Sequence, residues 1–231
     1  MSGKVLPRLA AALPILLLAL WASAVMAHDI SDANRSYVQS IQGPAPIPFL
    51  YLGAKHMVTG IDHILFLTGV VFFLYRLRDV VIYVSMFTIG HSLTLLGGVL
   101  ANVGLNASLV DAVIGVSVIY KAVENLGGFE KIGLAINTKL AVLVFGLFHG
   151  MGLATKLISL DMSENGLLAN LLAFNVGVEL GQVIVLVFVV FLLNLWRGSS
   201  SFQRGARFAN LALLAGGIIL TLYHLEGYVS P

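Results

Sequence analysis

The chain contains no cysteine. That excludes a disulfide framework, a thiolate metal site and a cysteine nucleophile. Any metal site must be built from imidazole, carboxylate, amide or thioether donors, which argues against Cu(I) and iron–sulfur chemistry. Charge is scarce as well: 10% of residues are Asp, Glu, Lys or Arg, against about 25% in soluble domains. The formal net charge of +2 is too small to point to a nucleic-acid partner. The chain also lacks a glycine-rich nucleotide-binding motif and the His-Glu-x-x-His helix of zinc proteases, so this chain alone does not drive any step with ATP.

What fills the space is apolar: 58% of residues are hydrophobic. The expected fold is all-α, a polytopic membrane helix bundle with six transmembrane helices after a cleavable signal peptide, or seven if the signal is retained. Residues 1–27 read as the signal. Lys4 and Arg8 form a basic start, an apolar core follows, and Val25-Met26-Ala27 places small residues at a cleavage site. Cleavage leaves His28 first, where a terminal amine and its own imidazole can chelate a divalent ion. The alternative to cleavage is an uncleaved anchor helix, and the alternative to chelation by His28 is a disordered tail. Residues 28–48 read as a short periplasmic tail and residues 49–231 as the transmembrane domain. The six apolar segments are 50–74, 80–101, 110–126, 139–159, 167–196 and 208–229.

The loops orient the chain. Arg76 and Arg78, then Lys131 and Lys139, then Arg197, Arg204 and Arg207 fall in alternate loops; the others hold only Lys156. The positive-inside rule makes the basic loops cytoplasmic. Both termini then lie in the periplasm, and the protein is a multi-pass component of a bacterial inner membrane.

Within the apolar segments stand groups that cost free energy there. An ionised side chain at the bilayer centre costs at least about 2.5–3.5 kcal/mol on insertion scales. The sharpest cluster is the octapeptide His56-Met-Val-Thr-Gly-Ile-Asp62-His63. His56 and His63 are two helical turns apart and share a face with Gly60 between them. Asp62 points elsewhere, to a neighbouring helix or to an imidazole N–H. Alone, His56 reads as an interfacial residue. His91 lies mid-segment beside Thr88, Ser92 and Thr94. His149 lies within Gly146-x-x-x-Gly150-x-Gly152, a spacing that permits close helix packing. Phe87-x-x-x-His91 and Phe145-x-x-x-His149 echo each other, a faint parallel repeat. Asn175, Glu179 and Gln182 form a polar stripe on the fifth segment, with Gly177 and Gly181 beside it. By depth, His63, His91, His149, Asn175 and Glu179 converge between mid-membrane and the outer face. His224 stands near the outer end of the sixth segment, where an interfacial role is the simpler one. Ser117, Lys121, Glu124 and Asn125 form a separate stripe nearer the cytoplasm; Lys121 and Glu124, at i and i+3, read as a structural ion pair or as an inner gate.

Four motifs then carry a resemblance. They are Gly-x-x-His56-x-x-x-Gly-x-Asp62-His63-x-Leu-Phe, Phe-Thr-x-x-His91-Ser-x-Thr-Leu, Phe-Gly-x-x-His149-Gly-x-Gly and Phe-Asn175-x-Gly-Val-Glu179-x-Gly-Gln182. Together, over residues 49–190, they resemble the HupE/UreJ family of membrane proteins, in the branch with Phe-Thr-x-x-His-Ser. The resemblance implies a permease, not an enzyme, that imports a divalent transition-metal ion. It implies metal ligands among His63, Asp62, His91, His149, Glu179 and His56, with Asn175, Gln182, Ser92, Lys121 and Glu124 along the pathway or around the ligands. Nickel is the ion the family favours. The donor types alone admit Ni²⁺, Co²⁺, Zn²⁺ and Fe²⁺ equally. Partners implied are the lipid bilayer, the metal ion, and a second copy or a client metalloenzyme system. Two other readings stay open: an intramembrane zinc-dependent hydrolase, in which Ser92 and Glu179 assist a metal-bound water, and a non-transporting metal-delivery or assembly protein.

Overall fold

The computed structural model describes residues 32–230, so the signal-peptide reading and His28 lie outside the described residues. The described residues form helices and no strand. In chain order they are α1 (Asp32–Ser40), α2 (Pro46–Thr59), α3 (Ile61–Val71), α4 (Leu77–Leu100), α5 (Ala107–Asn125), α6 (Gly128–Lys131), α7 (Thr138–Ile158), α8 (Leu167–Arg197) and α9 (Phe202–Val229). Four of them, α4, α7, α8 and α9, are long and apolar enough to cross a membrane. The 31 residues of α8 span about 46 Å at 1.5 Å per residue, well beyond a hydrocarbon core of about 30 Å.

One expectation needs correction. The first apolar segment is not one helix. It breaks at Gly60, whose φ of −74° and ψ of 104° are extended, between α2 and α3. Thr59 and Gly60 are both poor helix formers, and the Gly60 amide closes α2 by donating to the His56 carbonyl at 2.8 Å. The stretch before α2 contains α1, and the turn after it docks on α8: Asn170 donates to the Gly43 carbonyl at 3.1 Å and accepts from the Ala45 amide at 2.6 Å. Val38 of α1 is buried.

Three helix pairs build the bundle: α2 with α8, α4 with α7, and α5 with α9, while α3 lies among them and touches α5, α8, α9 and α4. Glycine sets each crossing, because lipid offers no hydrophobic drive between helices and close backbone contact must replace it. A Cβ on Gly53 would overlap the Phe174 carbonyl, and one on Gly177 would overlap that of Leu50. Gly146 faces Phe87 and Gly150 faces His91 across the α4–α7 seam. These contacts show α4 and α7 running parallel, in agreement with the common direction of the two Phe-x-x-x-His segments. Gly115 opposite Thr221 and Gly217 opposite Ile119 make α5 and α9 antiparallel.

The short α3 is held at its C-terminal end by side chains from other helices. Arg197 donates to the Val71 and Phe72 carbonyls, each at 2.7 Å, and Asn125 donates to the Gly69 carbonyl at 2.9 Å. A helix that ends inside a bundle needs such partners, since lipid supplies none. The core around α3 is aromatic, with Phe66, Phe72 and Phe87 fully buried.

Candidate metal centre

The break at Gly60 starts α3 directly at the octapeptide's acid and second imidazole. Asp62 Oδ1 lies 3.0 Å from His63 Nδ1, and both residues are buried. Position 60 is tight: a Cβ there would lie 2.9 Å from the His56 carbonyl oxygen, 3.0 Å from His63 Nδ1 and 3.2 Å from Asp62 Oδ1. The two histidines meet although they lie on different helices. The ring centroids of His56 and His63 are 5.0 Å apart.

His63 is the hub. His149 from α7 stands 4.8 Å from it and His91 from α4 stands 6.1 Å from it, centroid to centroid. Gly150 permits this by letting the backbones of α4 and α7 touch beside both residues. Phe66 and Phe87 pack on His149 at 5.3 and 5.0 Å, and Phe174 lies 6.5 Å from His56. The imidazoles therefore share a buried box with aromatic walls.

Hydrogen bonding assigns two tautomers. The Asp62 carboxylate accepts from His63 Nδ1–H, which leaves the Nε2 lone pair of His63 free to bind. Ser117 commits its proton to the Ile114 carbonyl at 2.6 Å, so its oxygen accepts from His149 Nε2–H at 3.3 Å. His149 is then left with its lone pair on Nδ1. Both free nitrogens, His63 Nε2 and His149 Nδ1, are buried without a hydrogen-bond partner, as are His91 Nε2 and His56 Nε2. A carboxylate or hydroxyl that fixes one ring nitrogen and frees the other is the usual support of a metal-binding imidazole.

The remaining sequence candidates divide. Asn175 is buried with its Oδ1 unpartnered, and its amide donates to Glu179 Oε1 at 3.1 Å. Gln182 is buried and bonds Thr88 across the α4–α8 seam at 3.1 Å. Glu179 itself is exposed on the flank of α8, outside the imidazole box. Ser92 keeps a buried, unpartnered hydroxyl beside His91. Lys121 and Glu124 form the expected ion pair at 2.6 Å, and Glu124 also accepts from Thr138. Ser117, placed in that inner stripe by spacing, instead reaches the histidines.

Sequence reasoning missed Asp111. It is buried on α5, pairs with Lys156 at 2.9 Å and has His224 at 3.9 Å. No motif surrounds it, and only the fold shows that α5, α7 and α9 converge there. It accounts for His224, which stands by Asp111 and not in the imidazole box.

Among the described residues, no three His, Asp or Glu groups stand in an arrangement that closes on a metal ion. Metal–nitrogen bonds of about 2.0–2.1 Å require the rings to turn inward from their present spacing.

Fold and site together define a helical membrane protein with a buried multi-imidazole centre. The chain belongs to the HupE/UreJ family: the family model described as HupE / UreJ protein matches residues 32–229. That family is associated with nickel and cobalt transport or metal delivery. No curated protein and no solved structure matches the chain.

Proposed function

We propose that the protein is a permease importing a divalent transition-metal ion, nickel foremost, across a bacterial inner membrane with both termini periplasmic. The observation that carries this reading is the set of four buried ring nitrogens without a hydrogen-bond partner on His56, His63, His91 and His149. An unpaired polar atom in an apolar interior costs roughly 1–3 kcal/mol, and an entering cation would satisfy all four at once.

His63 and His149 are the principal ligands, because neighbours already hold them in metal-ready tautomers. His91 joins from mid-span, and His56 receives the ion from the outer side. Asp62 orients His63 and offsets the ion's charge. Glu179 and Asn175 draw the cation toward the box from the flank of α8. The Lys121–Glu124 pair forms the inner gate. Open spacing suits a cargo site, since an ion held too well does not leave.

The direct test is uptake of Ni²⁺ into proteoliposomes loaded with a metal-sensitive dye. Wild-type protein accumulates the ion and protein-free vesicles do not. Binding without uptake would make the chain a metal-delivery or assembly protein, and neither binding nor uptake would end the metal reading.

Ser117 gives a finer prediction. Ser117→Ala removes the acceptor that holds His149 Nε2–H and so releases the tautomer. Metal affinity falls by about 10–100-fold, the usual effect of losing such support, and the metal-free protein loses about 1–3 kcal/mol because a buried imidazole N–H is left without an acceptor. Equal affinity in isothermal titration would show that Ser117 does not tune His149.

A further inference from the structure

At the end of the bundle that carries the basic loops lies a cavity of about 1030 Å³ between the start of α9, the end of α5 and the α3–α4 linker. Lys131, Arg197 and Arg207 line it, and no acidic residue does. Among the described residues, none of these three cations has a carboxylate within ion-pair distance; the ion pairs present engage Lys121, Lys156 and histidines. Arg197 is held in place by the Val71 and Phe72 carbonyls and by the Tyr75 ring 4.6 Å from its guanidinium carbon. Its Nε remains buried without a partner.

Such a cavity repels a divalent cation, so it is no part of the metal route. Its remaining surface is two-sided. Asn125 and Asn210 bond each other at 2.9 Å on the polar side. Phe73, Phe202 and Leu211 supply the apolar side. Leu211 and the neighbouring Phe208 are exposed on the outer flank of α9, so the lining continues onto the surface that meets lipid tails. A free phosphate would use the cations and leave the apolar wall without a partner. A ligand with a phosphate and acyl chains uses both.

We propose that this cavity holds the phosphodiester headgroup of an anionic phospholipid, with Lys131, Arg197 and Arg207 on the phosphate and an acyl chain along Leu211 and Phe208. Cationic pockets between membrane helices have the charge for this, and each Lys or Arg near the headgroup favours an anionic lipid by about fivefold. The proposal goes beyond metal transport and does not depend on it.

The test is native mass spectrometry of the full-length protein in detergent, titrated with an equimolar mixture of phosphatidylglycerol and phosphatidylcholine. Wild-type protein takes phosphatidylglycerol first, with about a tenfold preference. Lys131→Gln with Arg207→Gln lowers the preference several-fold without abolishing it, because Arg197 remains, and Lys131→Arg with Arg207→Lys retains the preference in full. Both positions are exposed, so the lipid-free unfolding midpoint of either double variant stays at the wild-type value. Arg76→Gln with Arg78→Gln, at the same end but outside the cavity, leaves the preference intact. The proposal is overturned if wild-type protein shows no preference, or if the Arg76 and Arg78 pair matters as much as the cavity pair. Displacement of the lipid by millimolar inorganic phosphate would overturn it too, by making the ligand a free anion.

Discussion

His63→Ala abolishes metal uptake, by on the order of 100-fold or more relative to wild type, since losing a supporting residue alone costs up to about 100-fold. The residue touches every other member of the box: His56, His91 and His149 all lie within about 6 Å of it, ring to ring. Removing its ring deletes one ligand and the hydrogen bond that His63 makes to Asp62. The remaining imidazoles then have no common centre. The comparison variant is His224→Ala. His224 is a histidine of the same membrane domain that stands near Asp111 instead. It keeps uptake within about twofold, a change small beside the loss of a ligand. Initial rates of dye-reported Ni²⁺ uptake in proteoliposomes decide the matter. A His63→Ala rate equal to wild type would place the transport site elsewhere.

Gly53→Val destabilises the fold by about 3 kcal/mol, the upper end for overpacking a closed interface. The added Cβ would overlap the backbone carbonyl oxygen of Phe174 and lie 2.9 Å from the Val178 amide nitrogen. Backbone cannot yield as a side chain can. The α2–α8 seam must therefore open, and His56, at the end of α2, moves with it. Gly97→Ala is the control. A Cβ there meets nothing within 4 Å, and the exchange favours helix by roughly 0.8–1 kcal/mol. Denaturant or thermal unfolding in detergent reads both. The account predicts a loss for the first and none for the second; equal midpoints for Gly53→Val and wild type would mean that the seam is not tight.

Much of the site was legible because cost is legible. Imidazoles and acids in apolar segments stand out whatever the fold, and counting depth from loop charge placed His63, His91 and His149 between mid-membrane and the outer face. The α4–α7 glycines were legible for the same reason, since small residues four apart have few other uses. The break at Gly60 was not, because residue spacing records a face and not a backbone dihedral. His56 and His63 meet across a kink that periodicity reads as a continuous helix.

Glu179 shows another limit. Asn175, Glu179 and Gln182 fall within one stripe about 60° wide on α8. Packing covers only the side that holds Asn175 and Gln182, and Glu179 is left at its edge. Ser117 was assigned too deep. It lies one turn above Lys121, about 6 Å along the axis, and that rise is enough to bring it level with His149. Asp111 needed three helices to converge before it meant anything.

The central claim is that the imidazole box binds the ion. Its most direct test is the metal content of purified full-length protein after equilibration with Ni²⁺, measured beside His63→Ala/His149→Ala. Wild-type protein holds one ion per chain and the double variant essentially none, with both proteins folded by circular dichroism. Equal metal content in the two would contradict it.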